Sequence, residues 1–127
     1  MNVAYVDTSV LVAVAFAEPE AKWLGERLTS FDRLLASNLL EAEFQSALER
    51  EGFSAEGERY LSGVSWILPN RPLTPEIKRV ARMGYLRGAD LWHLACALFI
   101  SPDPKQMSFL TLDGKQDAVA EALGFSK

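Results

Sequence analysis

Four acidic residues stand where chemistry could be done. Asp7 ends the apolar run Val3-Ala-Tyr-Val6, and Asp113 follows Phe109-Leu-Thr-Leu112. Asp90 opens the segment Ala89-Asp-Leu-Trp-His-Leu-Ala-Cys-Ala-Leu-Phe-Ile100, whose only polar members are Asp90 and His93. Glu43 borders the apolar stripe of the segment from Leu39 to Glu51. Singly, each has a plain structural role. Asp7 and Asp90 suit helix N-caps, Asp113-Gly114 is a common turn pair, and a rim glutamate packs its stem on apolar neighbours. Jointly they point further. Carboxylates brought together repel, and some take up protons unless a cation is present. A set of oxygen donors without Cys or His partners suits Mg²⁺ or Mn²⁺ and argues against zinc. Such ions on carboxylates are the equipment of phosphodiester hydrolysis: they lower the pKa of an attacking water and offset charge on the phosphate.

For Asp7, Asp90 and Asp113 to meet, strand ends and a helix start must come to one edge of a sheet. The order of elements predicts this. Val3–Val6 reads as a buried strand, followed by a helix that Thr8 or Ser9 caps. Pro19 suits the first turn of a second helix running to about Leu28. Arg33 to Ser37 is a short strand, and Ser37 or Asn38 caps the amphipathic helix that Gly52 stops. Ser54 caps a helix from Ala55 to Leu61, and Val64 to Leu68 is the next strand. Thr74 and Pro75 open a helix to about Leu86, broken by Arg87-Gly88. Ala89 or Asp90 starts a helix to Ile100, Ser108 to Leu112 is a strand, and Gln116 to Leu123 is a helix with Gly124 as its C-cap. Strands alternating with helices imply right-handed crossovers and a mainly parallel sheet covered on both faces. Ligands of such sheets bind just outside the carboxyl ends of the strands, where Asp7 and Asp113 stand.

Other polar residues have two readings. Glu41 borders the same stripe as Glu43, and the helical wheel favours Glu43 without settling the choice. His93, the only histidine, is read as packed and hydrogen-bonded rather than as a base, and Cys96 as a small core residue. Asp117 reads as a solvated helix residue. Lys78, Arg79, Arg82 and Arg87 read as a solvated helix face that is also within reach of phosphates.

Composition bounds the class. The chain of 127 residues carries 13 Lys plus Arg against 17 Asp plus Glu, a formal charge of −4, with 49% apolar residues. This is one globular domain over residues 1–127 rather than a basic protein that coats nucleic acid. With a single cysteine there is no internal disulfide. No apolar run approaches the ~20 residues that span a bilayer, and no signal peptide is read, so a cytoplasmic protein without a membrane partner is expected.

Four stretches carry a family resemblance. Val6-Asp-Thr-Ser-Val-Leu-Val12, Glu43-Phe-Gln-Ser-Ala-Leu-Glu-Arg50, Asp90-Leu-Trp-His-Leu-Ala-Cys-Ala-Leu98 and Phe109-Leu-Thr-Leu-Asp113, with the helix and Gly124 that follow, come in the order and spacing of a known pattern. The chain resembles the PIN-domain ribonucleases, in particular the VapC-like toxins of prokaryotic toxin–antitoxin pairs. The resemblance favours Glu43 over Glu41. It implies a three-layer α/β/α domain with a four- or five-stranded sheet, the fifth strand being in doubt because only Phe125-Ser-Lys127 follows the last helix. It implies that Asp7, Glu43, Asp90 and Asp113 surround one or two Mg²⁺ or Mn²⁺ ions, with Ser9 orienting Asp7. It also implies hydrolysis of RNA phosphodiester bonds, a homodimer, and an antitoxin protein that covers the site. The contrasting expectation is a catalytically silent interaction module with the same fold.

Overall fold

Short apolar runs bracketed by polar breakers become strands buried on both faces, and these need no alternation of side-chain type. A computed structural model describes residues 1–127. Strands β1 (Val3–Val6), β2 (Arg33–Ser37), β3 (Val64–Ile67) and β4 (Ser108–Leu110) form one all-parallel sheet in the order β3-β2-β1-β4. Seven α-helices flank it: α1 (Thr8–Ala15), α2 (Ala21–Thr29), α3 (Leu39–Arg50), α4 (Gly57–Leu61), α5 (Thr74–Ala81), α6 (Gly88–Ile100) and α7 (Gly114–Leu123).

The path from β1 through β2 to β3 runs one way across the sheet, and the return to β4 runs the other way. Right-handed crossovers therefore put α1 to α4 on one face and α5 and α6 on the other. Accordingly, α1 packs on α2 and α3, while α6 packs on α5 and α7. The expected three-layer α/β/α domain is present, with the sheet at four strands. A fifth position is only begun, where Ser126 pairs with Ser108 as a single parallel bridge.

The core is densest around β1 and α6. Ala4, Tyr5 and Val6 are wholly buried, and Tyr5 stacks on Phe109, its register partner in β4. On α3, Leu40, Phe44 and Leu48 face inward at helical spacing. His93 through Leu98 are all buried, as a helix apolar nearly all round must be. Cys96 is a core residue, its thiol pushed up to about 12 by burial. Gly124 closes α7 in the left-handed region, φ 107°, as its C-cap role requires. No helix is long and apolar enough to cross a membrane.

Several boundaries differ from the sequence reading. Asp7, not Thr8 or Ser9, caps α1, because its carboxylate reaches the Ser9 amide. Pro19 lies outside α2, which begins at Ala21. Ser54 opens a single 3₁₀ turn (Ser54–Glu56) before α4. α5 ends at Ala81 rather than near Leu86; Met83 N bonds back to Val80 O as the last turn tightens. β4 stops at Leu110 because the Thr111 hydroxyl takes the Asp113 amide and turns the chain.

Candidate active site

The ladder between β1 and β4 ends where Asp7 N donates to Leu110 O at 2.9 Å. There the chain turns into α1. Asp7 keeps extended backbone (φ −79°, ψ 153°), and its carboxylate serves the helix start. Oδ2 accepts from Ser9 N at 3.1 Å and Ser9 Oγ at 2.7 Å, and Thr111 Oγ1 stands 3.2 Å away. Oδ1 accepts no hydrogen bond; His93 Nε2 is 3.9 Å from it. One oxygen of this buried carboxylate is thus committed to local structure and the other is free.

Glu43 comes to the same region from α3. Its Oε1 accepts from Thr8 Oγ1 at 2.7 Å and lies 2.9 Å from His93 Nε2. Glu41 is exposed, so the structure directs only Glu43 inward. The proton on His93 follows from its neighbours. Burial pushes the Tyr5 phenol well above its ordinary range, so it stays protonated. Its oxygen accepts the Ser37 amide at 3.0 Å, and its hydrogen is directed to His93 Nδ1 at 2.6 Å. The remaining ring hydrogen then sits on Nε2 and is donated to Glu43. His93 is packed and hydrogen-bonded, as expected, yet it also holds Glu43 beside Asp7.

Asp90 lies in the first turn of α6, its side chain 23% exposed, with Arg87 Nε 3.7 Å away. Burial pushes its carboxyl above the usual range, and the charges of Asp7 and Asp113 push it the same way. Asp113 caps α7, its Oδ1 accepting from Gln116 N at 2.9 Å. Gln116 is wholly buried. Its amide donates to Asp90 O at 3.1 Å and accepts from Thr111 Oγ1 at 2.7 Å, tying the start of α6 to the end of β4. Asp90 and Asp113 line a cleft of about 710 Å³ with Tyr85, Leu86, Arg87, Gly114 and Lys115.

The structure thus brings Asp7, Asp90 and Asp113 within electrostatic reach, and Glu43 joins Asp7 through His93. The model of the PIN domain family matches residues 4–122, from β1 into α7 and across all four acids. The chain belongs to the PIN domain family. Neither the curated proteins nor the solved structures contain a match to it. PIN domains are generally nucleases and typically use divalent metal ions.

In this PIN domain the donors have the chemistry of a hard-cation site. Asp7 Oδ1 and the Asp90 carboxylate accept no hydrogen bond, and Asp90 is under repulsion from its neighbours. No three Asp, Glu, His or Cys side chains are drawn together as a ligand set in this structure. Glu43 gives an oxygen to Thr8 and His93, and Asp113 gives one to α7.

Sequence reasoning missed four members of this PIN-domain site: Tyr5, Thr8 as a partner of Glu43, Thr111 and Gln116. Tyr5 sits in an apolar run and Gln116 in an ordinary polar helix start, so neither carries a local signal. Thr111 reads in sequence as a strand residue. The Asp117 carboxylate, read as solvated, pairs with Lys127 Nζ at 3.3 Å.

The raised Asp90 carboxyl has a consequence for stability. The folded chain holds this proton more readily than the unfolded chain. Stability therefore falls as pH rises from the ordinary value of 3.8 through the raised one, and the deficit persists to neutral pH. Asp90→Asn is expected to raise the Tm at neutral pH without divalent ions, and to give no such gain well below the carboxylate range. Thermal melts at the two pH values check this; a lower Tm for the variant at neutral pH would remove the repulsion from the account.

Proposed function

We propose that this PIN domain is a Mg²⁺- or Mn²⁺-dependent endoribonuclease, the toxin of a VapC-like toxin–antitoxin pair. The observation that carries the reading is the placement of Asp7, Asp90 and Asp113 at the carboxyl edge of the sheet, where Asp7 and Asp113 both bear on the charge of Asp90. An ion held by Asp7, Asp90 and Asp113, with Glu43 alongside, would lower the pKa of an attacking water and offset charge on the scissile phosphate.

The chain's own residues do the rest. Ser9 holds Asp7 Oδ2 through its amide and hydroxyl, which leaves Oδ1 without a hydrogen bond. Thr8 and His93 hold Glu43 in place, since both donate to Oε1. Gln116 fixes the first turn of α6, and hence Asp90, against the end of β4. Arg87 and Lys115 at the cleft supply positive charge to receive phosphate. The toxin reading brings two protein partners with it: an antitoxin that covers the cleft, and a second copy in a homodimer. It rests on the motif resemblance over the span of the family match.

One observation favours the second reading, a silent interaction module of the same fold: the acids are not assembled as a ligand set, and a silent module needs none. The deciding experiment is cleavage of total cellular RNA by antitoxin-free protein. Discrete products that appear with Mg²⁺ or Mn²⁺ and vanish with EDTA are expected. Intact RNA with either ion would favour the silent module.

A further inference from the structure

Between α5 and α6 the chain offers Met83 and Tyr85 to solvent, 46% and 82% exposed, while the next residue, Leu86, is buried and anchors the segment. Tyr85 has no aromatic or cationic partner within the protein. Its ring nonetheless lines the cleft that holds Asp90 and Asp113. Arg87 and Lys115 line the same cleft. Arg87 is 81% exposed and only loosely paired with Asp90, and Lys115 forms no ion pair.

An exposed ring by itself signifies little. Here it lines one cleft with two largely exposed cations and the carboxylates of Asp90 and Asp113, on a chain whose net charge is −4. An aromatic face takes a base, and paired cations take the phosphates beside it. A duplex cannot use such a site, because its bases are already stacked on one another.

We propose that Tyr85, Arg87 and Lys115 form a subsite for one unpaired nucleotide of RNA beside the acidic cleft, the base lying on the Tyr85 ring and the adjoining phosphates on the two cations. The proposal rests on the ribonuclease reading and adds that the substrate is single-stranded where it meets this loop. It also assigns Tyr85 a binding role that the acids do not require.

The test is fluorescence anisotropy with a short labelled RNA of mixed sequence, single-stranded and as a duplex, with Ca²⁺ replacing Mg²⁺ to suppress cleavage. Tyr85→Ala is expected to weaken single-strand binding about tenfold, with duplex binding and Tm unchanged. Tyr85→Phe should keep wild-type affinity, since stacking needs no hydroxyl. Lys115→Gln should flatten the slope of log affinity against log salt by roughly 0.7. Equal loss in Tyr85→Phe and Tyr85→Ala would overturn the stacking role. Unchanged affinity in Tyr85→Ala would overturn the subsite and leave the ribonuclease reading standing. Wild-type protein that binds neither RNA would overturn both.

Discussion

Asp7→Asn is expected to lower RNA cleavage by at least about a hundredfold and to leave the fold intact. The substitution keeps an oxygen where Oδ2 now accepts from Ser9 N and Ser9 Oγ, so the cap of α1 survives. What it removes is the negative charge of the carboxylate, whose Oδ1 lies 3.9 Å from His93 Nε2 and accepts no hydrogen bond. Repulsion on Asp90 falls at the same time, so without divalent ions the variant should melt at or above the wild-type temperature. Asp7→Ala is the contrasting case. It strands the Ser9 amide and hydroxyl, and the lost cap alone costs about 1 kcal/mol. Initial cleavage rates and thermal melts on the two variants separate chemistry from capping. An Asp7→Asn protein that cuts at the wild-type rate would take Asp7 out of the site.

The largest loss of stability is expected at His93. Its ring is 1% exposed and bonded at both nitrogens. His93→Ala leaves a cavity, a buried Tyr5 hydroxyl without an acceptor, and a Glu43 carboxylate short of one donor. Together these should cost roughly 3 kcal/mol or more. His93→Gln retains an amide donor near the Nε2 position and should lose less while keeping more cleavage activity, because Glu43 is still held. Tyr5→Phe removes the hydroxyl that sets the His93 tautomer and leaves the Ser37 amide unpaired, for about 1–3 kcal/mol. A double-mutant cycle of Tyr5→Phe and His93→Gln, read by urea unfolding, should show coupling of at least about 0.5 kcal/mol. Strict additivity would mean that the 2.6 Å contact carries no stability.

Much of this architecture is legible in the sequence alone. Val3–Val6 and Arg33–Ser37 are strands at the residues where polar breakers bracket them, and Gly124 ends α7 as a left-handed cap. These are local matters of turn chemistry, backbone freedom and side-chain period, and a short window of residues contains the forces that decide them. The position of Asp7 at a strand end is legible for the same reason, since the apolar run breaks there; Asp113 lies past the end of β4, as the cap of α7.

What a short window does not hold is the partner of a side chain. Glu41 and Glu43 border the same stripe of α3; only the approach of Thr8 and His93 from α1 and α6 makes Glu43 the inward one. Gln116 follows a turn like many surface residues, and it becomes a wholly buried strut because Asp90 O and Thr111 Oγ1 both meet it there. Asp7 takes the cap from Thr8 and Ser9 because its ladder bond to Leu110 holds its backbone extended at the helix start. Packing therefore decides which acids face one another, and which of their oxygens remain free. Residues far apart in the chain supply the donors, and a buried donor or acceptor must find its partner wherever the fold has put one.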